Sequence, residues 1–197
     1  MGNASPLVEC PLSDVRALYE ANVFGLLAVT QAVAPAMMNA RSGTIVNIAS
    51  VVGLVGTPFG GVYSSSKAAV VNLTDALRIE LAPFGVKVMT VCPGAIRSNI
   101  GDNNLQRLDL TSYRLYAPFR DAIAARATAS QSAASTPTDV FATRVVRDVL
   151  RPAPPPLLVW GHMAGVFKLM LWMPRWLRDM LLSRRFGLNV TLPPPAR

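Results

Sequence analysis

Tyr63 and Lys67 stand four residues apart in YSSSK, thirteen residues after Ser50. On a helix this spacing places both side chains on one face, about one turn apart. A positive charge near a phenol favours the phenolate, so we expect Lys67 to lower the pKa of Tyr63. The phenol then serves as a general acid or base nearer neutral pH, and a serine hydroxyl beside it can orient a carbonyl oxygen. These residue types suit carbonyl reduction or alcohol oxidation.

The segments that must position these residues alternate between helix and strand. Apolar residues recur at helical spacing from about residue 13 to 38 and again over 62–81. Two β-branched runs, at 44–49 and 86–92, are typical of buried parallel strands. This order predicts an α/β fold with a parallel sheet, in which chemistry lies beyond the carboxyl ends of the strands. Ser50 follows the first of these strands.

The rest of the chain divides into further core and an extension. Residues 101–136 are polar and alanine-rich, which indicates a mobile or helical insertion. A capped helix is predicted over 138–150, and a last short strand over 157–160. We therefore expect a sheet core over residues 1–160 and a basic, apolar extension over 161–197.

The net charge of +8 is concentrated near the C-terminus. Residues 1–143 carry ten basic and nine acidic side chains, whereas residues 144–197 carry nine basic and two acidic ones. This distribution argues against nucleic acid as a partner. Cys10 and Cys92 lack metal-ligand spacing, and His162 is the only histidine, so neither a metal site nor a serine/histidine/aspartate triad is predicted. No run of 18 residues is free of both charges and helix breakers, so no membrane span is predicted.

Four motifs resemble those of the short-chain dehydrogenase/reductase family. They are NVFG with Asn22, NIAS ending at Ser50, YSSSK at 63–67 and CPGAIRS at 92–98, in the family's order and spacing. The resemblance implies a Rossmann-like doubly wound parallel sheet and nicotinamide chemistry. The likeness starts at about Met1, without the family's first strands and glycine-rich pyrophosphate turn. We therefore expect this chain to form the C-terminal portion of such a domain. The simplest cause is that the sequence lacks a segment upstream of Met1.

The resemblance assigns roles to four residues. Tyr63 would donate the proton in the reducing direction, and Ser50 would hydrogen-bond the substrate carbonyl. Lys67 would bind the nicotinamide ribose hydroxyls and tune Tyr63, while Asn22 would hold a water that links Lys67 to bulk solvent. From the residues alone, Asn22 can equally bond its own helix backbone.

A second set follows the strand at 86–92. The resemblance places Pro93, Gly94 and Ile96 beside the nicotinamide. Ser98 stands where the family often has threonine, and it keeps the hydroxyl that would contact the carboxamide. From the residues alone, Ser98 is also a candidate helix cap.

The substrate side is expected to come from two segments. The glycine-rich run GLVGTPFGG at 53–61 follows the serine strand, so it fits a substrate loop better than a phosphate-binding turn. The segment 101–136 is expected to set substrate identity.

The extension mixes large apolar side chains with arginines from Phe167 to Leu188, broken at Pro174. Tryptophan with arginine on short helices suits the surface of a membrane, and a pocket lid or an oligomer contact is the alternative. With PLVEC and NVFGLLAVTQAV, this segment resembles the branch of NADPH-dependent 1-acyldihydroxyacetone-phosphate reductases. That branch implies NADP(H), a lipid-like ketone and the cytosolic face of the endoplasmic reticulum or a lipid droplet. NAD(H), retinoid or hydroxysteroid substrates and a cytoplasmic location stay open.

Two classes of function remain from the sequence. The first is an oxidoreductase that transfers a hydride to a ketone while Tyr63 supplies the proton. The second is a truncated, non-catalytic module that binds a partner or a membrane. It would pair as a homo-oligomer through the helices at 13–38 and 63–81, which the family uses for dimers.

Overall fold

A computed structural model describes residues 2–192 of the 197-residue chain and confirms the α/β prediction. It contains a parallel sheet with the order β1-β2-β3. The strands are β1 (Thr44–Ile48), β2 (Lys87–Pro93) and β3 (Leu157–Trp160). Ile45 lies opposite Val88 across the first pairing, and Val91 lies opposite Leu158 across the second. The sheet is thus the part of a Rossmann-like fold that carries Ser50 at the end of β1.

Helices precede and follow each strand. They are α1 (Leu12–Tyr19), α2 (Gly25–Ala40), α3 (Gly61–Leu81), α4 (Ile100–Gln106), α5 (Arg120–Ala127), α6 (Thr138–Val149), α7 (Ala164–Trp172) and α8 (Arg175–Arg185). The segment 101–136 is therefore a helical insertion, built around α4 and α5. The extension forms α7 and α8, separated at Pro174 as its sequence indicates.

The helix predicted from about residue 13 to 38 differs from the structure in its middle. A π-helical turn, Glu20–Phe24, joins α1 to α2, and Asn22 is buried within it. A π turn adds a residue to the helical turn and often marks a functional position. Apolar periodicity does not reveal it, because the spacing on either side remains helical.

The same helical run bears on the membrane prediction. From Leu12 to Ala40 it is long and apolar enough to cross a bilayer by length and composition, with a mean hydropathy of 1.5. Pro35 lies inside α2 without ending it, as the helix predicted through residue 38 requires. Core helices of soluble proteins meet the same criterion, and here Leu18 and Thr30 are buried inside the fold. The criterion alone therefore does not establish a span.

The core lies on both faces of β2. Met89 and Val91 are fully buried and pack with Leu158, next to side chains of α6. Cys92, also fully buried, packs on the other face with Ala49 and Val70 of α3. Burying such side chains contributes about 1.5–3 kcal/mol each. Helices on both faces are what a doubly wound sheet requires, and they fix α3 against the end of β1.

The end of the described chain returns to the loop that follows Ser50. The ring of Phe186, just after α8, meets the ring of Phe59 edge to face, with 6.0 Å between centroids. Phe59 also packs with Tyr113 and Ile123 of the insertion in one apolar cluster. The extension therefore anchors on the predicted substrate side, as a pocket lid would.

Candidate active site

Ser50, Tyr63 and Lys67 come together at the carboxyl end of β1. Ser50 is buried and its hydroxyl accepts a hydrogen bond from the Val52 backbone N–H at 3.3 Å, which caps a short 3₁₀ turn. Tyr63 and Lys67 lie on the first two turns of α3. The Lys67 Nζ lies 5.9 Å from the centroid of the Tyr63 ring. The helical spacing predicted from the sequence thus places the two side chains beside the serine.

Lys67 and Asn22 are held by neighbouring elements. The Lys67 ammonium donates to the backbone carbonyl of Ile48 at 2.9 Å. The Asn22 side-chain amide donates to the Ser66 hydroxyl at 3.1 Å, and that hydroxyl donates to the Tyr63 carbonyl at 2.8 Å. Asn22 therefore reaches α3 one residue before Lys67. Its role in holding a water stays a prediction.

The electrostatics of Tyr63 differ from the sequence prediction. Burial raises the pKa of Tyr63, and this influence exceeds the lowering by a hydrogen bond with Ser50 and by the charge of Arg126. The expected lowering of this pKa was therefore wrong in direction, and Lys67 is not among the influences on it. Burial also lowers the pKa of Lys67, because a desolvated site disfavours the ammonium. A raised pKa keeps the phenol protonated at neutral pH, as a proton donor requires.

Arg126 is the site residue that the sequence did not reveal. It lies on α5, and its Nε donates to the Thr57 hydroxyl at 3.3 Å. A Cβ built on Gly60 would lie 2.6 Å from the Arg126 Nη2, so the guanidinium rests against the loop before Tyr63. No sequence pattern links residue 126 to residue 63. The insertion carries four arginines, and nothing in the sequence distinguishes Arg126 from the other three.

The residues predicted to lie beside the nicotinamide follow the end of β2. Among them, Gly94 allows the ends of β2 and β3 to pack closely. Its N–H donates to the Trp160 carbonyl at 2.9 Å, and Ala95 pairs with His162. A Cβ on Gly94 would lie 2.0 Å from the His162 carbonyl oxygen. The close backbone approach therefore requires glycine here. Pro93 ends β2 beside it.

Ile96 and Ser98 extend from the same strand end. Ile96 is half-buried and pairs with Thr136 at an isolated bridge. Ser98 is exposed, and its backbone N–H donates to the Gln131 side chain at 3.3 Å. Its hydroxyl accepts from the Ile100 N–H at 3.5 Å, a long contact that makes a weak helix cap. Their positions beside a nicotinamide stay predictions.

The glycines of the 53–61 loop are explained by contacts with the protein itself. A Cβ on Gly53 would lie 2.7 Å from the Lys67 carbonyl carbon, and one on Gly61 would lie 2.8 Å from the Leu7 side chain. Gly53 needs to be glycine so that the loop can approach the backbone of α3, whereas at Gly61 the exposed Leu7 side chain could move aside. Such contacts support the substrate-loop interpretation over a phosphate cradle.

A cavity of about 540 Å³ reaches the site from the side. It runs along β1 and α2, and both Asn22 and Lys67 contribute to its wall. Within the part of the chain that the structure describes, β1 pairs with β2 alone, so its other edge faces this cavity. The cavity therefore meets the site at Lys67, whereas Ser50 and Tyr63 lie outside its lining.

A parallel sheet that holds serine, tyrosine and lysine at a strand end defines an oxidoreductase of the Rossmann class. Residues 1–109 match the short chain dehydrogenase family. The short-chain dehydrogenase ptmH of Penicillium ochrochloron is 36% identical over 189 residues, which cover 95% of this chain and 68% of that protein. The chain belongs to the short-chain dehydrogenase/reductase family.

Two further proteins show how far the likeness extends. The NADPH-dependent 1-acyldihydroxyacetone phosphate reductase of Saccharomyces cerevisiae is 30% identical, over 93% of this chain and 61% of that protein. A short chain dehydrogenase/reductase of Burkholderia phymatum, solved in complex with NAD, superposes with a TM-score of 0.70 at 25% identity. That match covers 100% of this chain and 67% of the other. The chain thus spans about two thirds of the length of these proteins.

The family implies a nicotinamide dinucleotide cofactor, and the residues present fit one part of it. Lys67 brings a hydrogen-bond donor beside the Tyr63 ring, and β2 ends at Pro93 on the same edge of the sheet, which is compatible with a nicotinamide riboside next to Tyr63. Within residues 2–192, however, no strand leads through a glycine-rich turn into a helix before β1. The usual pyrophosphate turn is therefore not among the described residues, and their contacts with a nicotinamide stay predictions.

Proposed function

We propose that this chain carries out the NADPH-dependent reduction of a ketone on a lipid-like substrate such as 1-acyldihydroxyacetone phosphate. The observation that carries the proposal is the convergence of Ser50 and Tyr63 at the carboxyl end of β1, with Lys67 one turn along α3. The name of the yeast relative supports the substrate class and the choice of NADPH. Retinoid and hydroxysteroid ketones are the alternative substrates.

In this mechanism the protein handles the oxygen and the proton. Ser50 donates its hydroxyl hydrogen to the substrate carbonyl oxygen, so that the oxygen faces the Tyr63 phenol. Tyr63 gives its proton to that oxygen as the carbonyl carbon becomes tetrahedral. Lys67 holds the ribose hydroxyls, and the nicotinamide, when bound, supplies the hydride. Burial of the phenol keeps it protonated until this transfer.

The test is a titration of the 197-residue chain with NADPH, with NADH in parallel, followed by assays with acyl ketones. Saturable binding and ketone-dependent NADPH consumption are expected. A folded sample that binds neither cofactor contradicts the reductase proposal and leaves the partner-binding or membrane-binding module. Tighter binding of NADH than of NADPH would assign NAD(H) as the cofactor, which is the cofactor bound in the Burkholderia phymatum structure.

We further propose that the chain associates peripherally with a membrane surface through α7 and α8. The support is exposed apolar area: Trp172 is 89% exposed, Trp176 is 67% exposed and Leu169 is 60% exposed. Arg175 and Arg178 lie on α8 together with Trp176, where they can meet anionic headgroups. A location on the cytosolic face of the endoplasmic reticulum or a lipid droplet accords with such a surface.

Flotation with vesicles tests this surface. We expect the chain to float with vesicles containing phosphatidylserine, and a Trp172→Ser, Trp176→Ser double variant to stay in the soluble fraction. A Leu7→Ser variant, which alters another exposed apolar residue, is the matched control and should float normally. Equal flotation of all three proteins would contradict the assignment to α7 and α8.

A further inference from the structure

Arg126 lacks the partners that a desolvated guanidinium usually has. Its Nε donates to Thr57 at 3.3 Å, and no carboxylate of residues 2–192 lies within 4 Å of it. Burial lowers the pKa of Arg126, because a desolvated site disfavours the charged guanidinium. A desolvated cation without a counter-charge is unfavourable, so such an arrangement is typically retained for a ligand.

Arg120, another arginine of the insertion, has a structural role that Arg126 does not share. Arg120 donates from Nε to the Leu110 carbonyl at 2.7 Å and from Nη2 to the Tyr113 carbonyl at 3.0 Å. Arg120 thereby ties two turns of the backbone together. Arg126 makes no such hydrogen bond to any backbone carbonyl of residues 2–192, although both arginines lie on α5. Its terminal nitrogens are therefore available to a bound molecule.

The fold fixes Arg126 on the same side as the reacting phenol. Ile123, one turn earlier on α5, is fully buried and packs with Phe59 of the loop. Gly60 gives the guanidinium room, and Tyr63 follows within one turn of that glycine. The helix thus has little freedom to move Arg126 away from the place where a substrate would contact Tyr63.

We propose that Arg126 binds an anionic group of the ketone substrate, a phosphate or a carboxylate, and thereby sets the specificity of the reaction. This inference rests on the proposed reductase function and narrows its substrate to ketones that carry such a group. A guanidinium is suited to the task because its planar fork matches two oxygens of a phosphate or carboxylate. The anionic group would contact Arg126 while the carbonyl faces Ser50 and Tyr63.

Equilibrium binding provides a test that does not need turnover. Dihydroxyacetone phosphate and dihydroxyacetone are titrated calorimetrically into the wild-type chain, the Arg126→Gln variant and an Arg107→Gln control, each saturated with NADP⁺, which cannot reduce the ketone. Arg107 is an exposed arginine of the same insertion. Because hydrogen bonds to charged groups are strong, we expect Arg126→Gln to bind the phosphate ester about 10- to 100-fold more weakly. The control should match the wild type.

Turnover then separates this inference from the reductase proposal. Acyldihydroxyacetone phosphate and its dephosphorylated counterpart are compared as substrates of the three proteins. We expect the wild type to prefer the phosphorylated ketone and Arg126→Gln to lose that preference through a raised KM. Phosphate-ester binding that depends on Arg126, with no turnover of either ketone, would reject the reductase and retain the anion site.

Three results would overturn the role of Arg126. One is equal affinity of wild type and Arg126→Gln for the phosphate ester. Another is an equal loss of kcat/KM for both ketones, which indicates an effect on Tyr63 alone. The third is a parallel loss of NADPH affinity, which would assign Arg126 to the cofactor.

Discussion

The Lys67 ammonium lies over the ring of Tyr63, 5.9 Å from its centroid, while it donates to the Ile48 carbonyl at 2.9 Å. The end of β1 therefore positions the lysine. The ammonium faces the Tyr63 ring and is not among the influences on the pKa of the Tyr63 hydroxyl. Burial, Ser50 and Arg126 are the influences on the pKa of Tyr63. The residue pattern YSSSK thus supplies the groups, and the surrounding fold decides their chemistry.

Replacing Tyr63 with phenylalanine should remove ketone reduction and keep the fold. The change deletes only the hydroxyl that supplies the proton, and general acid catalysis contributes roughly 10²- to 10⁴-fold. Tyr19→Phe is the matched control, since that phenol also bonds a residue of α3, Ser65, at 3.0 Å. Turnover and circular dichroism of both variants give the measurement. Full activity in Tyr63→Phe would reject the proton-donor role.

The pH profile of reduction should reflect a protonated phenol. Because the pKa of Tyr63 is raised above its ordinary value of 10.0, kcat/KM should stay level through neutral pH. It should fall only as pH rises through that higher pKa. Two nearby groups can also titrate at high pH: Lys67, whose pKa is lowered, and Cys92, whose pKa is raised to about 11.

Arg126 provides the internal check on this profile. Its charge favours the phenolate, so Arg126→Gln should move the alkaline fall to still higher pH. Arg107→Gln should leave the profile unchanged, because that side chain is exposed and is not among the influences on Tyr63. An alkaline fall that Arg126→Gln leaves in place would contradict control of the profile by Tyr63.

The sequence predicted the sheet, and the placement of serine, tyrosine and lysine together at a strand end, correctly because those features are local. Strands at 44–49 and 86–92 follow from β-branched runs, and the Tyr63 to Lys67 spacing follows from helical geometry. The last strand, Leu157–Trp160, has the predicted bounds. In each case a few neighbouring residues determine the structure, so a local pattern suffices.

The missed features depend on contacts between distant segments. Arg126 reaches the site only because α5 packs on the loop after Ser50. The π turn at Asn22 and the raised pKa of Tyr63 likewise follow from how helices pack, which periodicity cannot show. Gly94 was assigned to the nicotinamide by resemblance, whereas its immediate constraint is the backbone of His162.

Asp148 should contribute to stability through three arginines. Its side chain is only 1% exposed, and ion pairs join it to Arg144 at 2.6 Å, Arg151 at 2.9 Å and Arg147 at 3.6 Å. The hydrogen bond from Arg144 is the largest influence that holds the pKa of Asp148 below 3.8. Asp148→Asn should therefore lower the urea midpoint at neutral pH, because it leaves three cations without their buried anion.

The sign of the pH dependence follows from the lowered pKa. The stabilisation is complete above the unfolded value of 3.8 and is lost as pH falls through the lower folded value. The difference between wild type and Asp148→Asn should thus be constant from pH 7 to 5 and shrink in strong acid. Asp75→Asn, which disrupts an exposed pair with Arg78, is the control and should change the midpoint little.

Gly94→Ala should destabilise the fold whether or not a cofactor is bound. The new methyl group would lie 2.0 Å from the His162 carbonyl oxygen, so the ends of β2 and β3 would have to separate. Overpacking of this kind costs about 1–3 kcal/mol in the free energy of unfolding.

Gly165→Ala is the control, since nothing lies within 4 Å of a Cβ built at this position in α7. That helical substitution should be neutral or stabilising by up to about 1 kcal/mol. Urea unfolding of both variants without cofactor decides the matter: unchanged stability in Gly94→Ala would mean that its glycine serves the nicotinamide site and not the strand packing.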